Sequence, residues 1–79
     1  MREKTLKLII TFHTTAAAMA MEKICAIRGL PGRLGPVPRS VTSDCGIAWW
    51  ADPEERFLFE TGEDFPEFEG IYEVLSYNS

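Results

Sequence analysis

The stretch Thr5-Leu6-Lys7-Leu8-Ile9-Ile10-Thr11-Phe12-His13 decides how the chain folds. Leu6, Leu8, Ile10 and Phe12 fall on one face and Thr5, Lys7, Ile9, Thr11 and His13 on the other, the period-two pattern of a strand buried on one side. A strand with one apolar face needs a covering layer, and the residues after it supply one. Thr14 or Thr15 can cap a helix that runs to about Arg28, with Ala17, Ala20, Ile24 and Ile27 at helical spacing and Gly29 as a C-terminal stop. The alanines let this helix lie close to a sheet.

Downstream, Leu30-Pro31-Gly32 turns the chain into a short extended segment from Arg33 to Val37. Pro36 and Pro38 have no N–H to give a ladder, which puts that segment at a sheet edge. After the polar stretch Arg39 to Gly46, the run Ile47-Ala48-Trp49-Trp50-Ala51 is apolar on both faces, as an interior strand is. Asp52-Pro53-Glu54-Glu55 supplies a cap, a proline at the first helical position and a glutamate three residues past the cap. It starts a second helix near 53–61 whose Phe57 and Leu58 face the core, and Gly62 and Pro66 keep that helix short. Gly70 to Tyr77, rich in β-branched and aromatic residues, makes the last strand. The order β-α-β-β-α-β predicts an α+β, ferredoxin-like sandwich: one antiparallel sheet in the order 4-1-3-2 with both helices on one face. In that topology His13, Thr14 and the loop before Ile47 meet at one end of the sheet.

Length and composition set the bounds. A chain of 79 residues with 46% hydrophobic content closes one modest core, so residues 1–79 are read as a single domain without a deep substrate cavity. Two cysteines without a C-x-x-C pairing give neither a disulfide framework nor a zinc site, and nine aromatic residues can fill a core without staples. A reducing, cytoplasmic setting fits best. The opening Met-Arg-Glu-Lys followed by apolar residues and Ala16 to Met21 imitates a secretory signal, but Thr11, His13, Thr14 and Thr15 interrupt it. No apolar run reaches the roughly 20 residues that span a bilayer. The net charge of −4 hides an asymmetry: residues 1–43 carry seven basic and two acidic groups, residues 44–79 one basic and ten acidic. An acidic chain whose few cations are not interleaved with aromatics is a poor nucleic-acid binder. Its acidic half reads as a solubilising face that could also steer a basic partner protein.

The one credible chemical group is the thiol of Cys45. Orphan N–H groups at a helix start favour a thiolate, Arg39 adds a cation, and Ser40, Thr42 and Ser43 add hydroxyls, whereas the carboxylate of Asp44 opposes. Gly46 beside it permits close backbone approach. The plainer alternative is a free cysteine packed under a loop. Cys25 borders the apolar stripe of the first helix and reads as a core filler. His13 could be a base, a proton donor to a bound anion, or the polar end of a strand. His13 and Cys45 would give only two metal ligands, so no metal and no cofactor are expected. Gly29 to Gly35 is glycine-rich, yet it follows a helix and lacks a phosphate-loop lysine, so it is a turn. Trp49 and Trp50 point to opposite faces; the one on the open face, with Ile9 and a tyrosine, could form a homodimer patch.

Taken together, Thr11-Phe12-His13-Thr14-Thr15, Gly29-Leu30-Pro31-Gly32-Arg33-Leu34, Pro36-Val37-Pro38-Arg39, Ser43-Asp44-Cys45-Gly46-Ile47-Ala48 and Glu69-Gly70-Ile71-Tyr72 form a pattern that, from about Leu8 to Val74, resembles the selenium- or sulfur-carrier-like proteins. These are small bacterial proteins common in anaerobes. The resemblance implies that the cysteine before glycine, Cys45, holds a sulfur or selenium atom as a persulfide or selenosulfide, with donor and acceptor proteins as partners. It implies a carrier rather than a turnover enzyme. His13, Thr14, Arg39, Ser43 and Gly46 would then form the binding surroundings of Cys45. Arg56 to Phe68, aromatic-rich and broken by glycine, departs from a regular second helix. The rival class is a small ligand-binding or protein-interaction module in which Cys45 has no covalent role.

Overall fold

Strand β1 (Lys4–Thr11) sits between β3 (Ile47–Ala51) and β4 (Gly70–Tyr77), and β2 (Arg33–Pro36) completes the sheet beyond β3. All pairings are antiparallel, and the order β2-β3-β1-β4 reads as 4-1-3-2 from the other edge. These elements, with α1 (Thr15–Arg28), a 3₁₀ turn (Pro53–Glu55) and α2 (Arg56–Thr61), come from a computed structural model that describes residues 4–62 and 65–77. Among the described residues, no helix is long and apolar enough to cross a membrane.

Local chemistry explains the element ends. The Thr14 side chain, on an extended backbone, accepts a hydrogen bond from Ala17 N at 3.1 Å and so caps α1. At the other end Gly29 takes a left-handed φ of 68° and Leu30 N donates to Cys25 O at 2.8 Å, which closes the helix. Before α2, Glu55 Oε1 accepts from Asp52 N at 2.8 Å, the reciprocal half of a capping box. The predicted strand 5–13 ends at Thr11, because Phe12 and His13 bend away into the cap of α1. The predicted 33–37 segment stops at Pro36, and Val37 N bonds Gly46 O at 3.2 Å across the base of the β2–β3 loop.

One core lies between the sheet and the helices. Leu8, Ile10, Phe12, Trp49 and Ala51 pack with Ala18, Met21 and Cys25 of α1 and Phe59 of α2, so both helices cover the same face. Two expectations about helix faces need correction. Ile27 is 74% exposed, and the buried stripe of α1 is Ala18-Met21-Cys25, one residue on from the predicted one. Phe57 is likewise exposed and Phe59 buried, while Leu58 packs against the core as expected; the 3₁₀ turn winds at three residues per turn and offsets the phase of α2.

The second face of β1 is also dry toward its end, while Leu6, expected inside, is 42% exposed. Ile9 and Thr11 are fully buried, contrary to a strand covered on one side. Ile9 is paired with Trp50 on one side and Tyr72 on the other. Trp50 Nε1 donates to Pro36 O at 2.9 Å with its indole against Gly35, where an added Cβ would stand 3.1 Å from Nε1. The Tyr72 ring folds over Gly70 in the same way, its hydroxyl 2.9 Å from where a Cβ would be. Ile9 therefore contributes nothing to an exposed dimer patch; of the predicted trio, the two aromatics alone reach solvent.

Candidate functional site

The C-terminal end of β1, the start of α1, the β2–β3 loop and the start of β4 converge at one end of the sheet, as the register Thr11↔Ala48 and Thr11↔Gly70 requires. The loop is fastened there by Ser43, whose Oγ donates to Phe12 O at 3.1 Å. Glu69 is fastened from the other side, its N donating to Thr11 O at 2.7 Å. His13, exposed between these anchors, places Nδ1 3.1 Å from Asp44 Oδ2 and 3.4 Å from Glu69 Oε2. The hydrogen bond to Asp44 holds the imidazole above its ordinary value of 6.5, with the Glu69 and Glu67 charges adding to it.

Cys45 is half-buried, and the loop alternates around it. Thr42, Asp44 and Gly46 are exposed, while Val41, Ser43 and Cys45 turn inward. The thiol donates to Ile47 O at 3.2 Å, stands 3.9 Å from Ser43 Oγ, and packs against the edge of the apolar cluster. Cys45 therefore stands at the boundary between solvent and core. Gly46 adopts φ 73° with open space where a Cβ would be, so backbone conformation, rather than crowding, demands glycine there.

The remaining sequence-predicted residues divide. Thr14 lies at the same end, but its hydroxyl is engaged in capping α1. Arg39 is exposed and makes no ion pair among the described residues. Cys25 is 1% exposed in the core, and burial pushes its thiol up to about 11. Both cysteines are free.

Two partners of His13 escaped the sequence reading. Asp44 figured there only as a charge beside Cys45, and Glu69 only within a family pattern. The 4-1-3-2 order held the signal for Glu69: the residue preceding β4 must lie across from the residue following β1.

A family model described as "Putative Se/S carrier protein-like" matches residues 7–62, which takes in His13 and the whole β2–β3 loop and stops short of Glu69. The resemblance at residues 69–72 thus lies outside the matched segment. No curated protein and no solved structure matches the chain.

Proposed function

The chain belongs to the Se/S carrier protein-like family, and from that premise we propose that it carries one sulfur or selenium atom on the Cys45 thiol. The observation that carries the reading is the contrast between its two free cysteines: Cys45 borders solvent in a loop at the end of the sheet, and Cys25 is sealed in the core. The strand order and the shared helix face support a ferredoxin-like reading of the fold, in which this loop is held by the sheet and remains open to a partner.

Loading is a thiol exchange. The Cys45 S–H leaves the Ile47 carbonyl, loses its proton to solvent, and the thiolate attacks the outer sulfur of a donor persulfide. A new S–S bond forms at Cys45, the donor's own S–S bond breaks, and the donor departs as a thiolate, with no net oxidation. A donor carrying selenium in the outer position reacts in the same way. An acceptor thiol attacking the outer atom reverses the step and frees Cys45. The donor and acceptor are proteins presenting a cysteine, and the exposed Arg39 is a cation available to meet an anionic one.

Intact mass spectrometry under anaerobic conditions tests this. Wild type and Cys25→Ser gain a reductant-labile sulfur or selenium after exposure to a persulfide donor, and Cys45→Ser does not, because a hydroxyl forms no S–S or S–Se bond. Loading that survives Cys45→Ser but not Cys25→Ser would reverse the assignment. An absence of adduct in all three proteins would favour a non-covalent ligand-binding module.

A further inference from the structure

His13, Asp44 and Glu69 come from three separate connections and bring one potential ligating atom each within 4.8 Å of one another. We propose that these residues form a binding site for a divalent transition-metal cation of the zinc type, independent of the Cys45 thiol.

Spacing is the first support. Ligand atoms about 2.0–2.2 Å from a metal, at octahedral or tetrahedral angles, lie roughly 3.0–3.5 Å apart. His13 Nδ1 is 3.1 Å from Asp44 Oδ2 and 3.4 Å from Glu69 Oε2. Hydrogen bonding accounts for only part of this arrangement, since one Nδ1 proton faces two carboxylates and bonds to Asp44 alone. The second support is Glu69: its side chain is 22% exposed and its Oε2 faces His13, while its other oxygen, Oε1, is shielded from solvent and has no hydrogen-bond partner. An unpaired, desolvated carboxylate oxygen is costly, and a cation held by both oxygens of Glu69 would compensate it.

Rigidity is the third. The backbone bond from Glu69 to Thr11 and the Ser43 bond to Phe12 O fix the segments on either side of His13, so the cluster is assembled before any ion arrives. One imidazole nitrogen and two carboxylate oxygens suit Zn²⁺, Fe²⁺ or Co²⁺ better than Mg²⁺ or Ca²⁺, which prefer oxygen alone. Three protein ligands leave at least one coordination position for water or another small ligand. The Cys45 thiol, bonded to Ile47 O, is outside the ligand set.

The test is equilibrium dialysis of the metal-stripped, untagged full chain against Zn²⁺, with Co²⁺ absorption as a report on ligand type. Wild type should bind one Zn²⁺ per chain and show Co²⁺ d–d bands without a thiolate charge-transfer band. His13→Ala and Glu69→Gln should each weaken Zn²⁺ binding by roughly a hundredfold, the share of one ligand in a small site. Cys45→Ser should bind as wild type does, whether or not that variant accepts sulfur. All the substituted side chains lie at or near the surface, and circular dichroism checks that each variant is folded. Wild type that binds no Zn²⁺ at millimolar concentration, binding unchanged in both ligand variants, or binding lost in Cys45→Ser would each overturn the proposal.

Discussion

Cys25 and Cys45 are the same residue in two surroundings, and their chemistry should differ accordingly. Alkylation of the native protein should label Cys45 and spare Cys25 until the chain unfolds, read by peptide mass after a short pulse of reagent. Burial holds the Cys25 thiol at about 11 against an ordinary 9.0, so the folded state keeps a proton that the unfolded state releases first. Stability from this group is whole below about pH 9 and declines as pH rises toward 11, by on the order of 2 kcal/mol. Denaturation series at several alkaline pH values should show a shallower decline for Cys25→Ala than for wild type. At His13, proton NMR of metal-free protein should place the imidazole midpoint above 6.5, and Asp44→Asn should bring it down, since the hydrogen bond to Asp44 is the largest cause of the shift. Gly46 at φ 73° predicts that Gly46→Ala destabilises the fold by about 1 kcal/mol, although nothing crowds the added methyl.

At the scale of elements, what the sequence makes legible depends on how local the chemistry is. Caps and stops are written in a few adjacent residues: Thr14, Gly29 and the Asp52 to Glu55 box sit where short-range rules place them. Thr14→Ala should therefore cost about 1 kcal/mol in thermal or urea denaturation, by freeing Ala17 N from its partner. Helix faces are less legible. Five alanines in α1 give little contrast between sides, so contacts with β2 and β3 decide which stripe is buried, and Ile27 is left outside. For α2 the phase depends on three 3₁₀ residues that no spacing rule reveals. The dry end of the second face of β1 was hidden for a similar reason, since it depends on Trp50 folding over Gly35 of β2 and Tyr72 over Gly70 of its own strand. At the candidate site, Cys45 could be singled out from its own neighbours. Its inward turn onto the Ile47 carbonyl and the company His13 keeps with Glu69 are long-range facts.

For the molecule as a whole, a single shared core links both helices to every strand but β4's outer edge, which argues for one cooperative unit. Tryptophan fluorescence, dominated by core Trp49 and boundary Trp50, should lose its native signal at the same denaturant concentration as far-UV circular dichroism. Separate midpoints would mean that the sheet and the helices part company. The pairing of β1 with β4 also has a consequence in time. Strand β1 is synthesised well before its partner β4, and Glu69 takes its place beside His13 only when the two meet. A nascent chain that has emerged only through β3 holds the Cys45 loop and His13 but not Glu69. The arrival of β4 thus becomes the event that closes the ring of carboxylates around His13.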